Sequence, residues 1–463
     1  MSASLSGFEV TRRATPARNS TRWLNPALAI ALLAFLALVP IPLGANRPVF
    51  WSLSALIVGA IGAVYAALML WRNAPFRFPL ASFPVLAALW LAFCLLAALH
   101  FLLPVQTTFT AGNGVEIVSP TLSLAPGASL HSLVQFAGYG LFFFLMLQAV
   151  SNRRRAVGVA RALFWIIVAH AIYGLVALTQ LGDPLLFFDK WAYLGSATGT
   201  FVNRNSYATF LAFGLVLGTA LALRAALVER GAAHARSEAL LSLLGLAFVL
   251  AALLASQSRM GLAAGLAGSL LVLAGAIARQ RAGRRVTAVL LAIVVMGLLA
   301  LLATVFGAPT LERLGSAERD FDVRLDLYRQ VIGMILERPV LGYGGGSFEI
   351  AFPLFHALPV SPDLLWLRAH STYLALWSDF GLVLGSIPLV VMLGIALRCL
   401  QMTLVRTKDW ALPLAALGVM LTAGIHSLVD FSLEIQANAY VFAAILALGF
   451  AASNDFSRRG RAA

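Results

Sequence analysis

Charged residues are scarce in this chain. Asp, Glu, Lys and Arg make up 11% of its 463 residues, whereas hydrophobic residues make up 60%. Soluble domains usually contain about 25% charged residues. The shortage excludes an ordinary soluble domain and predicts an integral membrane protein.

Cysteine is almost absent as well. Cys94 falls inside one apolar stretch and Cys399 at the far end of another. Two cysteines buried in separate predicted spans do not form a disulfide framework. The fold is therefore expected to depend on helix packing within the bilayer.

Long apolar runs take the place of the missing charge. A bilayer core requires roughly 20 apolar residues per helix, and twelve such stretches are present. They predict an all-α integral membrane protein with about 12 transmembrane helices. The first stretch follows a basic leader without a small-residue cleavage site, so we expect it to be retained. The stretches lie at about 26–44, 51–71, 81–103, 130–150, 157–181, 200–223, 238–255, 260–278, 286–306, 376–397, 409–428 and 435–452.

The positive charge is unevenly distributed. Acidic residues number 19 and basic residues 33, which gives a formal net charge of +14. Arg and Lys gather in every second connection, beginning with the leader, as expected of loops on the cytoplasmic side. This pattern predicts that both termini are cytoplasmic. The charge is thereby accounted for, and no nucleic-acid partner is expected.

Arg204 and Arg259 break this pattern. Each lies in a short connection on the outer side, at the start of a predicted helix. The helix dipole is already positive there, so an added cation costs about 0.3 to 1 kcal/mol unless an anion is shared. A bound phosphate would turn the cost into a gain. Contact with lipid headgroups is an equally good interpretation of any single arginine.

A long outer segment, 307–369, separates the ninth and tenth stretches. Within it, residues 320–339 show apolar residues at helical spacing and predict an amphipathic helix on the outer membrane surface. We expect Asp320 or Asp322 to cap this helix, Arg324 to lie in its first turn and Pro339 to end it. The apolar positions are Leu325, Tyr328, Val331, Ile332, Ile335 and Leu336.

The same segment continues with other polar and flexible features. The stretch LGYGGGSF forms a turn whose backbone can approach a ligand closely, and Arg368 and His370 follow where the chain re-enters the bilayer. For Arg329 and Arg338, contact with lipid headgroups is favoured. His170 is expected to be a packed, hydrogen-bonded residue.

Taken together, GTFVNRNSYATFL, SQSRMG, DVRLDLY, ERPVLGYGGGSF, AHSTYLALWSDFGLVLG and HSLVDFSLEIQANA resemble the O-antigen ligase and O-antigen polymerase superfamily of bacterial envelope proteins. The resemblance covers about 199–440. It implies a GT-C-like membrane glycosyltransferase with one large periplasmic loop. Such enzymes move a glycan from undecaprenyl pyrophosphate to an acceptor, with inversion and without a metal or cofactor.

The resemblance also implies roles for individual residues. By position, Arg204, Arg259 and Arg324 would bind the pyrophosphate and His370 would be the catalytic base. The family usually has Asn directly after this His, whereas Ser371 stands here. The residues expected to support the site are Asn203, Asn205, Gly344, Gly346, Arg368 and Tyr373.

These expectations define regions, partners and alternatives. A leader and five spans occupy 1–198, the ligase-like core 199–452 with loop 307–369, and a basic tail 453–463. The leading prediction is a ligase in the bacterial inner membrane that uses a lipid-linked glycan donor and a lipid A-core or other glycan acceptor on the periplasmic face. The alternatives are a polymerase of O-antigen or exopolysaccharide repeat units, a protein O-oligosaccharyltransferase, and a multi-span transporter. A transporter is disfavoured because the spans carry almost no ionisable groups.

Overall fold

The computed structural model describes residues 23–228, 232–279, 317–363, 365–406 and 409–452. The helices of these parts are α1 Leu24–Leu38, α2 Pro48–Trp71, α3 Pro84–Leu102, α4 Pro126–Ala149, α5 Arg153–Gln180, α6 Arg204–Val228, α7 Ala232–Ala255, α8 Arg259–Ala278, α9 Ala317–Glu337, α10 Phe348–Ala351, α11 Thr372–Val405, α12 Ala411–His426 and α13 Gln436–Ala451. Short 3₁₀ turns lie at Leu43–Ala45, Leu80–Ser82, Phe352–Leu354 and Ser432–Glu434.

The helical membrane architecture predicted from the sequence is confirmed. Within the described parts of the chain, eight helices, α2 to α8 and α11, are long and apolar enough to cross a membrane. Helices α1, α12 and α13 are apolar but shorter. Eleven of the twelve predicted stretches thus contain a helix, and the ninth, 286–306, lies outside the described residues. The total of twelve spans stays a prediction.

Local sequence explains where several helices begin. Proline occupies the first turn of α2, α3 and α4, where its missing N–H is not needed. At the start of α5, the Asn152 side chain accepts hydrogen bonds from the backbone N–H groups of Arg154 and Arg155. Inside the membrane each helix satisfies its own backbone groups, so long apolar runs fold this way.

Helix α6 forms the centre of the bundle. In its membrane-spanning window 89% of the residues are buried, and α5, α7, α8, α12 and α13 pack around it. Small residues allow close packing between α8 and α12. A Cβ at Gly268 would lie 2.5 Å from the carbonyl oxygen of Gly418, and the Thr422 hydroxyl donates to the Ala264 carbonyl at 3.0 Å. Close contact of this kind takes over the role that the hydrophobic effect has in soluble bundles.

At one end of the bundle, arginines of the predicted cytoplasmic connections form ion pairs with acidic residues of other segments. Arg153 forms an ion pair with Asp409, and Arg161 with Glu238. The opposite end holds the starts of α6, α8 and α11 and the end of α12. We call this opposite end the site end, because it carries every residue to which the sequence analysis assigned chemistry.

Helix α9 lies in the long segment where an amphipathic helix was predicted, but its bounds differ from the predicted ones. It already includes Ala317, so Asp320 and Asp322 lie inside it and Arg324 lies beyond its first turn. The Ala-Glu-Arg sequence before Asp320 is favourable for helix and extends it upstream.

The buried face of α9 also differs from the prediction. Leu327, Val331, Met334 and Ile335 are buried in a small cluster with Tyr343 and Phe348 of the following turn. Ile332 and Leu336, which we expected on the apolar face, are exposed. The helix therefore packs its principal face on the protein, beside α11.

Two local features could not be anticipated from the apolar runs. A short antiparallel hairpin, Thr107–Thr110 paired with Glu116–Ser119, lies between α3 and α4. Helix α11 is broken at Gly381, which has a φ of 75° and a ψ of 172°. At this break the Leu382 N–H donates to the carbonyl of Pro339 at 2.7 Å.

Candidate functional site

Two asparagines fix the start of α6. Asn203 acts as its cap, because its Oδ1 accepts a hydrogen bond from the Asn205 backbone N–H at 2.7 Å. The Asn205 side chain accepts from the Ser258 hydroxyl at 2.9 Å and donates to Asp430 Oδ2 at 3.0 Å. Ser258 caps α8. One amide therefore joins the starts of α6 and α8 to the connection between α12 and α13.

Asp430 is a residue of this site that the sequence analysis missed. It is 1% exposed, and its second oxygen, Oδ1, accepts a hydrogen bond from the Ser432 hydroxyl. A buried carboxylate must be hydrogen-bonded or paired with positive charge. Its only signal in the sequence was its presence as an acid in the stretch HSLVDFSLEIQANA.

His370 lies two residues before the start of α11. Its φ of 53° is uncommon for a residue other than glycine. The ring packs edge-on against Trp366 and Phe431, with ring centres 5.9 and 5.1 Å apart. The Tyr328 hydroxyl of α9 donates to the His370 carbonyl at 2.8 Å. Ring contacts thus hold the imidazole, and the Tyr328 hydrogen bond holds the His370 backbone.

The surroundings keep the His370 imidazole neutral. Burial lowers the pKa of His370 below its usual value, the Asp430 carboxylate acts in the opposite direction, and the Arg324 charge lowers it further. A neutral imidazole has a nitrogen free to accept a proton at pH 7. The electrostatic environment therefore suits a general base.

The charges of two of the three predicted arginines act on Tyr193, in the connection between α5 and α6. The Arg204 guanidinium carbon lies 5.2 Å from the centre of its ring. Burial raises the pKa of Tyr193, Asp430 raises it further, and Arg204 and Arg324 lower it.

Contacts connect the same segments. Asn205, which follows Arg204, donates to Asp430, and the His370 ring packs against Phe431. Tyr328, one turn after Arg324 on α9, donates to the His370 carbonyl. Arg204, Arg324 and His370 therefore lie on segments that meet.

Arg259 stands where the sequence analysis expected it, as the first residue of α8. It directly follows Ser258, whose hydroxyl binds Asn205. Arg204 and Arg259 are therefore the first residues of two helices whose starts are hydrogen-bonded to each other. A shared role of Arg259 in binding an anion stays a prediction.

Some of the residues predicted to support the site lie beside the arginines, and others lie elsewhere at the site end. Tyr373 donates to the Gly424 carbonyl at 3.0 Å and so ties α11 to α12. Gly344 and Gly346 lie against the break in α11, where their backbone N–H groups bind the Asp379 carbonyl at 2.8 Å and the Asp379 carboxylate at 2.6 Å. Arg368 forms an ion pair with Glu434 at 3.0 Å. Asn203 and Asn205 remain with the arginines.

Ser371, in the position usually held by Asn, has a local structural contact. Its hydroxyl donates to the Ser427 carbonyl at 3.1 Å, and the Thr372 N–H binds the same carbonyl. These bonds hold the start of α11 against the end of α12. His370 is thereby kept next to the segment that carries Asp430.

His426 is the last residue of α12. Its Nδ1 pairs with the Thr209 hydroxyl at 3.0 Å. His170 lies away from the site, and its Nε2 binds the Ala37 carbonyl at 3.2 Å. The prediction of a packed, hydrogen-bonded His170 is confirmed.

Arg338, for which contact with lipid headgroups was favoured, has partners within the protein. Its Nε donates to the Gly342 carbonyl at 3.0 Å, and its guanidinium carbon lies 4.3 Å from the centre of the Phe109 ring. Arg338 thus links the hairpin to the turn at residues 342–346, which we call the glycine turn. Arg329 is largely exposed and forms an ion pair with Asp326 at 2.8 Å.

Among the described residues, no three or more His, Cys, Asp or Glu side chains are grouped to hold a metal ion. The predicted metal independence is not tested by this observation.

A family model for O-antigen ligase matches residues 244–389. The matched region contains Arg259, Arg324 and His370, and it excludes Arg204 and Asp430, which the structure brings next to them. A search of curated proteins found no match to the chain. The matched region and the helical membrane architecture together indicate a membrane glycosyltransferase of the broad O-antigen ligase or polymerase type. Residues 244–389, about a third of the chain, are thus similar to the O-antigen ligase family.

Proposed function

We propose that this protein is an O-antigen ligase-like glycosyltransferase that moves a glycan from undecaprenyl pyrophosphate to lipid A-core on the periplasmic face of the inner membrane. The observation that carries the proposal is a set of contacts that joins the segments of Arg204, Arg324 and His370 around Asp430. Asn205, which follows Arg204, donates to Asp430, and the His370 ring packs against Phe431. Tyr328 of α9, the helix of Arg324, donates to the His370 carbonyl. This grouping supplies both requirements of the reaction: cations for a departing diphosphate and a base for an acceptor hydroxyl.

The reaction needs no added energy source, because a sugar pyrophosphate is already activated. The acceptor oxygen forms a bond to the anomeric carbon while the bond from that carbon to the diphosphate oxygen breaks. The diphosphate leaves with the bonding electrons, and His370 takes the proton of the acceptor hydroxyl. Attack from the side opposite the leaving group inverts the anomeric centre.

Arginines suit the leaving group. A guanidinium is permanently charged and offers planar pairs of donors, so it can hold phosphate oxygens in two-point contacts. Arg204 and Arg259 also begin helices whose first N–H groups can bind the same oxygens. Donors fixed in place before the reaction stabilise developing negative charge most effectively.

His370 suits the acceptor. Burial keeps its imidazole neutral, and the nearby Asp430 carboxylate stabilises the imidazolium that forms when the proton arrives. The fixed backbone around His370 holds the ring in one position for this transfer. A positioned base of this kind contributes about a hundredfold or more to the rate.

The test is a transfer assay with the purified full chain, undecaprenyl pyrophosphate-linked glycan and lipid A-core. We expect Arg204→Lys to reduce turnover by roughly tenfold or more, because a single ammonium cannot reproduce the two-point contact. Arg329→Lys, a change at the exposed Arg329 on α9, is the matched control and should retain wild-type turnover.

Full turnover of Arg204→Lys would contradict the assigned role of Arg204. Absence of transfer to lipid A-core by the wild-type protein, with joining of two lipid-linked repeat units instead, would replace the ligase by a polymerase. A deletion strain separates the same two outcomes. Loss of all long-chain lipopolysaccharide supports a ligase, and a product with a single repeat unit supports a polymerase.

A further inference from the structure

The connection between α5 and α6, residues 181–203, is held in shape by one ion pair. Lys190 Nζ donates to Asp183 Oδ1 at 2.7 Å and to the Ser196 carbonyl at 2.6 Å. The Lys190 side chain is only 1% exposed. A buried ammonium group is stable only when it is paired and hydrogen-bonded, so these contacts fix the path of the chain from Asp183 to Ser196.

The same Asp183 carboxylate also binds the chain on the other side of Tyr193. Its Oδ2 accepts a hydrogen bond from the Gly195 N–H at 2.9 Å. The Ser196 N–H donates to the Tyr193 carbonyl at 3.1 Å. Tyr193 therefore lies between two residues, Lys190 and Gly195, that are held by one carboxylate.

This part of the connection is fixed to the turn between α7 and α8 as well. Gln257 Nε2 donates to the Gly195 carbonyl at 2.9 Å. The Ala197 N–H donates to the carbonyl of Ala255, the last residue of α7, at 2.8 Å. The segment that carries Tyr193 is thus supported from within itself and from the neighbouring turn.

Tyr193 has an unusual backbone conformation. Its φ of 57° lies in the left-handed region, which residues other than glycine rarely adopt. Glycine would adopt this conformation without strain. A residue with a side chain keeps it only where the surrounding contacts enforce it, and such strained residues concentrate at active sites and ligand-binding segments.

The ring that this backbone presents lies against Arg204. The guanidinium carbon is 5.2 Å from the ring centre, within the limit of about 6 Å for a cation–π contact. Arg204 is half-buried and Tyr193 is 37% exposed. The pair therefore lies where a molecule from outside can reach it.

An aromatic ring and a carboxylate hold an arginine in different ways. The N–H donors of a guanidinium lie in its plane, and a carboxylate binds these donors and neutralises the charge. A ring attracts the cation through its π electrons instead and uses none of the donors. The Tyr193 ring can therefore orient Arg204 without competing with a phosphate for it.

We propose that Tyr193 is a positioning residue, whose ring orients the Arg204 guanidinium so that its N–H donors meet the diphosphate of the donor lipid. This inference rests on the proposed function and deepens it, because it adds to the diphosphate site a residue that acts only through Arg204. The ion pair of Asp183 and Lys190 then keeps the ring in place.

The first test measures the affinity of the purified full chain for undecaprenyl pyrophosphate, without any transfer step. Tyr193→Leu removes the ring and should weaken binding by roughly threefold to fivefold. Tyr193→Phe keeps the ring and should bind as the wild-type protein does. Trp191→Leu is the matched control, because Trp191 is an exposed aromatic residue of the same connection, and it should leave the affinity unchanged.

The second test shows whether Tyr193 acts through Arg204. Tyr193→Leu combined with Arg204→Gln should bind no more weakly than Arg204→Gln alone, because the cation that the ring orients is already missing. A further loss of roughly threefold to fivefold in the double variant would show that the two residues act independently and would overturn the proposal.

Tyr193→Gln takes the place of Tyr193→Leu if the latter does not fold. Unchanged affinity in a folded variant without the ring would overturn the proposal. An equal loss in Trp191→Leu would also overturn it, because any exposed aromatic residue of the connection would then have the same effect. Failure of the proposed function would appear differently, as a wild-type protein that binds undecaprenyl pyrophosphate with Tyr193 and Arg204 coupled but transfers no glycan.

Discussion

At the scale of single residues, the site end depends on one imidazole, whose protonation is controlled by its burial and by two opposite charges. Burial and Arg324 lower the pKa of His370, and Asp430 raises it. Arg324 belongs to α9 and Asp430 to the connection between α12 and α13. The pKa of His370 therefore depends on how these two segments are placed around it.

This arrangement predicts the pH dependence of transfer. A general base must be neutral, and the pKa of His370 is lowered from its usual value of 6.5. The rate should therefore stay constant as pH falls to 6.5 and decline only as pH passes through the lowered pKa. The measurement is kcat/KM against pH in the transfer assay.

Two variants separate the contributions to this profile. His370→Gln should reduce the rate by about a hundredfold or more and abolish the acid limb. Asp430→Asn removes the carboxylate that raises the pKa of His370, so the acid limb should move to lower pH. Asp363→Asn, in an exposed loop, is the control. An acid limb unchanged in both site variants would show that another group titrates.

The sequence could place Arg204, Arg259 and His370 near helix starts, where local pattern is informative, and their roles stay predictions. Asp430 and Tyr193 could not be found in this way. Their importance comes from contacts across the fold, such as the bond between Asn205 and Asp430, which spans 225 residues. No local spacing encodes a contact of that length.

At the scale of elements, the glycine turn and the broken helix α11 form one unit. A Cβ at Gly342 would lie 2.6 Å from the Asp379 carbonyl oxygen, and one at Gly381 would lie 2.2 Å from the Val340 carbonyl oxygen. Both glycines have positive φ. The turn and the helix can therefore meet backbone to backbone only because side chains are missing on both.

We expect Gly381→Ala to destabilise the protein by roughly 1 to 3 kcal/mol, because the new Cβ meets backbone atoms and the conformation is strained. The midpoint of thermal unfolding in detergent should fall. Transfer activity should fall with it, since α11 begins two residues after His370. Gly59→Ala is the matched control on α2, where an added Cβ meets nothing within 4 Å. Equal midpoints for the two variants would show that the break tolerates a side chain.

The existence of the elements was more predictable than their ends. Apolar runs identified eleven helices, because a bilayer leaves the chain few other ways to satisfy its backbone. The start of α9 was missed because a pair of aspartates resembled a cap, while the favourable helix residues before them extended the helix. The glycine run was interpreted as a ligand contact, whereas its close approach is to α11.

At the scale of the whole molecule, the fold separates two kinds of positive charge. The arginines of the predicted cytoplasmic connections make ion pairs at one end, and Arg204, Arg259 and Arg324 gather at the other with His370. The sequence anticipated this separation through the alternation of charged connections. It could not anticipate the cavity of about 890 Å³ between α2, α3, α4, α11 and α13, because the wall of this cavity comes from five helices far apart in the chain.

The separation predicts which end faces outward. In a background with Cys94→Ser and Cys399→Ser, a cysteine at Asn113 in the hairpin should react with a membrane-impermeant maleimide applied to intact spheroplasts. A cysteine at Arg154, at the start of α5, should react only after the membrane is permeabilised. Both positions are exposed in the structure. The reverse labelling pattern would place the candidate site in the cytoplasm.

The two hydrogen bonds of the Asn205 side chain also limit how the site can move. This side chain holds the Ser258 hydroxyl with its oxygen and Asp430 with its nitrogen, so three segments depend on one amide. A helix that tilted by itself would break one of these bonds inside a buried region. Any opening of the site must therefore move α6, α8 and the α12–α13 connection as one rigid block, and the arginines and the acid would keep their spacing while substrates come and go.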